Sequence, residues 1–124
     1  YVCYAFAEKK GYSKFSSYTG NGNADGTFVY TGFRPAWLMV KASSATSAWY
    51  IYDNKREGFN VDNNQLFPDR SNAEDTIDHV DLLSNGFKWK GITGDPNSSG
   101  RTYFYMAFSE SSFVNSNGVP TNAR

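Results

Sequence analysis

The sequence predicts an all-β fold, an antiparallel β-sandwich or jelly roll of about eight short strands. Aromatic residues form 18% of the 124 residues (10 Phe, 9 Tyr and 3 Trp), while Leu is scarce and Gly, Asn and Ser are plentiful, a mix that favours strands and turns. Apolar residues recur with period two in short runs, each bounded by turn-forming residues. Helical period is nearly absent. The exception is Ser71 to Thr76, where Ser71 is placed to cap one turn holding Glu74 and Asp75.

The predicted strands are Val2 to Glu8, Tyr12 to Tyr18, Thr27 to Phe33, Trp37 to Lys41, Trp49 to Asn54, Thr76 to Leu83, Phe87 to Gly91 and Thr102 to Glu110. The first is apolar on both faces until its terminal Glu, the pattern of a central strand covered on both sides. Cys3, the single cysteine, excludes an internal disulfide and reads as a small core hydrophobe between Val2 and Tyr4. Between the second and third strands, Asn21-x-Asn23-x-Asp25-Gly26 has the spacing of a calcium loop. Position 12 of that loop would be Gly32 in place of Glu, and Asp25 would be its only formal negative charge. The segment therefore reads as tight turns built from residues that tolerate positive φ.

Pro35 fixes φ and withholds a donor, which suits the start of a strand at a sheet edge or corner. Trp37 and Phe108 are expected to share the sheet-lined interior. In the next strand, alternation sets Trp49 and Ile51 opposite Tyr50 and Tyr52, so one pair faces inward and the other outward. Lys55 to Asp75 is polar and interrupted by Gly58 and Pro68, a long surface excursion pinned by Val61, Leu66 and Phe67. Ser84-Asn85-Gly86 predicts a hairpin with a type I′ turn, after which Phe87 and Trp89 alternate with Lys88 and Lys90, one face buried and one wet. The sandwich is expected to span residues 1–114, and residues 115–124 have too little to bury to be more than a C-terminal arm.

Tyr1-Val-Cys-Tyr-Ala-Phe-Ala-Glu8 and Tyr103-Phe-Tyr-Met-Ala-Phe-Ser-Glu110 share Tyr, Ala, Phe and Glu in register, 102 residues apart. Two readings stand. Residues 1–8 are the closing strand of a preceding repeat in a tandem array, or one domain's first and last strands lie side by side and converge on similar residues. No initiator Met is present and Tyr1 falls inside an apolar run, so the chain is expected to be a processed product or a segment of a longer polypeptide.

Charge is balanced at 12 Lys+Arg against 12 Asp+Glu without basic or acidic blocks, so nothing favours nucleic acid or an anionic membrane as partner. The apolar runs are shorter than a membrane span and no signal peptide is visible. No phosphate loop, zinc-ligand spacing or dinucleotide fingerprint occurs, so no cofactor or metal is expected.

His79 is the only imidazole, and no nucleophile elbow accompanies it. Glu74, Asp75, Asp78 and Asp81 supply acids, yet their spacing lacks the Glu-x-Asp-x-x-Glu alternation of sandwich-type glucanases. The chain is expected to have no catalytic residues. Aromatic side chains remain. Trp37, Trp49, Trp89 and above all the face of Tyr50 and Tyr52 could stack on sugar rings, with Asp53, Asn54 and Arg56 hydrogen bonding to hydroxyls; against this stands core packing or a subunit interface, where Tyr is also enriched.

Ser17 to Lys41 (Ser-Tyr-Thr-Gly-Asn-Gly-Asn-Ala-Asp-Gly-Thr-Phe-Val-Tyr-Thr-Gly-Phe-Arg-Pro-Ala-Trp-Leu-Met-Val-Lys), Trp49 to Arg56, Leu83 to Lys88 and Tyr105 to Glu110 resemble an uncharacterised β-rich domain of tailed-bacteriophage structural proteins. Gly32-Phe-Arg-Pro-Ala-Trp37 is the most specific piece, and the Asn-Ala-Arg ending also resembles the C-terminus of such proteins. The resemblance implies a virion protein of tail or fibre type, often placed after concanavalin-like or LamG-like modules, with a concanavalin-like sandwich of its own. It implies an extracellular particle, with copies of the chain and other virion proteins as partners; the aromatic residues leave a host surface glycan as the alternative partner. It supplies no catalytic residues.

Overall fold

The computed structural model describes residues 1–56, 60, 62–91, 96–112 and 114–119. Among the described residues eight strands form, β1 (Ser13–Thr19), β2 (Asp25–Tyr30), β3 (Pro35–Ala42), β4 (Trp49–Asp53), β5 (Asp62–Gln65), β6 (Asp75–Leu83), β7 (Gly86–Lys90) and β8 (Thr102–Ser109). They pair antiparallel in two four-stranded sheets, ordered β1-β8-β3-β4 and β2-β7-β6-β5. The expected all-β sandwich is the architecture observed. β3 and β8, apolar on both sides, take the middle of the first sheet, and the more polar β1 takes one of its edges.

The interior comes from inward-facing residues of both sheets. Tyr18, Leu38, Val40, Tyr50, Tyr52, Tyr103, Tyr105 and Ala107 meet Val29, Val80, Leu82, Phe87 and Trp89. Trp89 is fully buried, its ring 5.8 Å from Tyr18, 5.7 Å from Tyr52 and 5.6 Å from Phe87, centroid to centroid. A buried phenol costs stability unless its hydroxyl is bonded. Tyr18 donates to the Pro96 carbonyl at 2.8 Å, Tyr52 to Gln65 Oε1 at 2.9 Å, and the Tyr103 hydroxyl accepts from the Ser98 amide at 3.1 Å. The tyrosines thus fasten the core to β5 and to the loop before β8.

The predicted strand Val2 to Glu8 does not form. Residues 1–8 are exposed and outside both sheets, and β8 has both edges occupied by β1 and β3, so the two similar segments do not lie side by side. Cys3 is exposed and not in the core, because the strand expected to bury it is missing. Trp37 and Phe108 touch, with ring centroids 5.6 Å apart, but on the outer side of the first sheet. Their neighbours Leu38, Val40, Tyr105 and Ala107 have the inward parity, and alternation sends Trp37 and Phe108 to the other face.

The excursion after β4 contains a strand that was not expected. β5, Asp-Asn-Asn-Gln, has no apolar residue and forms by pairing with the long β6. Just beyond it, Leu66 and Ile51 exchange both backbone hydrogen bonds at 3.0 Å and join the two sheets at that corner. Phe67 packs on the core against Tyr50, whereas Leu66 is an exposed pin and Val61 lies outside the described residues. Residues 71–74 form no helical turn and lead straight into β6.

The β6–β7 hairpin is present, with Leu83 opposite Gly86 across Ser84 and Asn85. None of Ser84, Asn85 and Gly86 has positive φ, so the turn is not type I′. Gly86 is required for another reason. A Cβ there would stand 2.1 Å from the Val29 carbonyl oxygen of β2. Of the C-terminal arm, Asn115–Val119 forms an exposed turn in which Asn115 Oδ1 accepts from the amides of Asn117 and Val119.

Candidate functional site

The two sides of β4 separate the expected sugar-binding residues from the surface. Val40 opposes Tyr50 and Leu38 opposes Tyr52 on the inner side of the sheet, leaving Tyr50 8% and Tyr52 0% exposed. The proposed tyrosine platform is therefore part of the core and presents no ring to a ligand. Its polar companions are engaged as well. The Asp53 carboxylate accepts from the Lys55 amide at 2.9 Å and from Arg56 Nε at 2.6 Å. Arg56 also pairs with Glu74 and donates to the Asn64 carbonyl at 2.9 Å. Asn54 Nδ2 and Lys55 both reach Glu110 just past β8.

Burial pushes the Asp53 carboxyl upward, but the hydrogen bond and charge of Arg56 and the Lys55 amide outweigh it and hold it below the ordinary carboxylate range. Burial opposes the charge of Arg56, and its bonds to Asp53 and Glu74 more than restore it. This network clamps the end of β4 to β5 and to the end of β8.

The opposite side of the same sheet is a surface of carbon. Met39 faces Met106 on β8 and Ile51 on β4, and Phe15 of β1 faces Met106. Trp49 meets Phe104 at 5.4 Å and Phe15 meets Phe108 at 5.6 Å, centroid to centroid. All of these are half-buried, and Met39, Trp49, Phe104, Met106 and Phe108 with Trp37 floor a trough of about 450 Å³ whose rim carries the exposed Tyr4 and Phe6. Lys41, on the same face, turns its amine to the Ser47 carbonyl at 2.8 Å. The trough offers large ring and thioether contacts with hardly any hydrogen-bonding group, so its chemistry suits apolar side chains. Its signal in the sequence was the absence of polar alternation in β3 and β8.

The remaining sequence candidates are structural. In the β1–β2 connector, Asn21 Oδ1 accepts from the Asn23 amide and from Asn97 Nδ2, both at 3.0 Å, and Asn97 Nδ2 also reaches the Asn23 carbonyl at 3.1 Å. Asp25 pairs with Lys88. The Asn21 and Asp25 side-chain oxygens of the would-be calcium loop thus meet protein donors, and the segment connects one sheet to the other. His79 is buried in β6. Asp75 accepts from Gln65 Nε2 at 3.0 Å and Asp81 pairs with Lys90 at 3.0 Å; of the Asp78 side chain nothing is described. Among the described residues, no three His, Cys, Asp or Glu are grouped to hold a metal ion. A pocket of about 360 Å³ with a mixed lining lies beside Glu8, Ser13, Lys14 and Tyr30, where Lys14 and the Phe15 amide hydrogen bond to Glu8 and hold its carboxyl below the usual range.

A family model, DUF7483, a domain of unknown function, matches residues 1–112. No curated protein and no solved structure matches the chain.

Proposed function

We propose that this chain, which belongs to that family of domains of unknown function, is a non-enzymatic structural module of a bacteriophage virion that works by assembling with copies of itself and with other virion proteins. Tail, fibre and surface-layer positions all fit the reading. The observation that carries assembly is the outer face of β1-β8-β3-β4, where Trp37, Met39, Trp49, Phe104, Met106 and Phe108 lie side by side and half-buried. Apolar patches of this kind mark protein interfaces, and aromatic residues and Met are the types such interfaces concentrate. The virion setting rests on the resemblance carried by Gly32-Phe-Arg-Pro-Ala-Trp37 and the segments around it. Gold-labelled antibody against the domain, applied to purified particles, is expected to decorate one structural feature at regular intervals; particles that never label overturn the reading.

A carbohydrate-binding module is the second reading, favoured only by the outward rings of Trp37 and Trp49. Sugar sites combine stacking with well-placed hydrogen-bonding groups, which the trough hardly supplies. Glycan-array binding that disappears in Trp37→Ala and Trp49→Ala while the fold persists would establish it in place of assembly.

A further inference from the structure

We propose that Tyr1–Glu8 is the closing strand of a second β-sandwich of the same kind, standing directly before this one in a longer polypeptide, so that the 124-residue chain carries that strand without its sheet. The inference needs only the fold and does not rest on the virion reading. Tyr1, Ala5, Phe6 and Glu8 repeat as Tyr103, Ala107, Phe108 and Glu110. β8 shows the setting such a sequence occupies here. It runs through the middle of a sheet, with Tyr103, Tyr105 and Ala107 buried inward and Phe104, Met106 and Phe108 on the outer face. Carried over in register, Tyr1, Cys3 and Ala5 would face inward, and Val2, Tyr4 and Phe6 outward.

Residues 1–8 have none of these surroundings. They form no strand, and Val2 and Tyr4 are 79% and 81% exposed. Phe6 rests against Phe15 at 5.7 Å, centroid to centroid, and still remains exposed. A strand-forming segment with apolar residues on both faces is stable when a sheet takes it up between two partners. Among the described strands no such place is open, since β8 fills the slot between β1 and β3 and the Glu8 carboxylate accepts from the Phe15 amide on the edge strand β1 at 3.1 Å. The family match covers residues 1–112, the segment and β8 alike. The connection to β1 is ordered. The amides of Tyr12 and Ser13 both donate to the Lys9 carbonyl at 2.9 Å, and Gly11 has φ 74°. A preceding sandwich would therefore sit close to the outer face of β1-β8-β3-β4, joined through this turn.

Cys3 reports the outcome, because its position matches that of Tyr105, which is buried. Thiol labelling with a colourless disulfide reagent is compared between the 124-residue chain and the longer polypeptide that retains everything encoded before Tyr1. The expected result is labelling of Cys3 at least about 100-fold slower in the longer polypeptide. In Cys3→Ser with Tyr4→Cys, the outward position should label markedly faster than Cys3 does. Hydrogen exchange of the unsubstituted longer polypeptide, showing slow backbone amides across residues 2–7, checks the same point without a substitution. Equal labelling of Cys3 in the two proteins, equal protection of positions 3 and 4, or a reading frame with no sandwich before Tyr1 would each overturn the proposal.

Discussion

The two outer faces of the sandwich enclose one interior but differ in how far charge interrupts their apolar residues. Outside β1-β8-β3-β4, the register sets Met39 beside Met106 and Trp37 beside Phe108. On β2-β7-β6-β5, Phe28, Tyr30 and Ile77 are exposed too, but they stand singly among paired charges, Lys88 with Asp25 and Lys90 with Asp81 at 3.0 Å. In β7 each large ring alternates with a lysine, whereas β3 and β8 place apolar residues on both sides. A sheet face that gives up polar alternation across three adjacent strands gains nothing from water, and that contrast is what the proposed assembly through the first sheet rests on.

The largest expected effect belongs to the shared interior. Trp89→Ala should cost about 3 to 5 kcal/mol, out of a total that for such domains is about 5 to 15 kcal/mol. Urea unfolding measures it. Trp37→Ala, on the outer face, should cost roughly 1 kcal/mol or less. Equal costs would show that Trp37 belongs to the core and would erase the distinction between the two sides.

Tyr105 tests the same interior by pH. Burial above all, with the nearby Glu8 charge, pushes its phenol up to about 12, against a hydrogen bond with Ser16 that works the other way. A folded pKa raised above the ordinary 10 means the contribution is present below pH 10 and is lost as pH rises toward about 12. The loss should reach about 3 kcal/mol. Chemical denaturation from pH 9 to 12 should show it, and Tyr105→Phe should flatten the curve.

Met39→Asp together with Phe104→Asp should weaken self-association at least about tenfold, or about 1.4 kcal/mol, by sedimentation equilibrium. Lys88→Ala, on the charged face, should leave association unchanged. Smallest is Lys90→Ala. It removes a partly exposed ion pair with Asp81 and should change stability by less than about 1 kcal/mol, an effect that shrinks further in high salt.

β2 and β7 were legible from period two, and β3, β4 and β8 from short apolar and aromatic runs between turn residues. β5 was not, since Asp62-Asn-Asn-Gln65 has no apolar pattern and owes its form to β6. The side chosen by Trp37 and Phe108 could not be read, because a strand apolar on both faces leaves parity undetermined until its partners and register are known. The same ambiguity hid the inward turn of Tyr50 and Tyr52. It also concealed the trough, whose members come from β3, β4 and β8 and meet only through the sheet order. Asp53, Asn54 and Arg56 were recognisable as a polar group, but their engagement with Glu74, Asn64 and Glu110 depends on contacts distant in sequence.

Hydroxyl-radical footprinting of the chain, concentrated enough to associate and then diluted, tests most directly whether the carbon face is where copies meet. Oxidation of Trp37, Met39, Trp49 and Met106 should slow several-fold on association while Tyr30 and Phe28 on the other sheet keep their rates. Unchanged rates at the four residues, or slowing confined to Tyr30 and Phe28, would contradict the account.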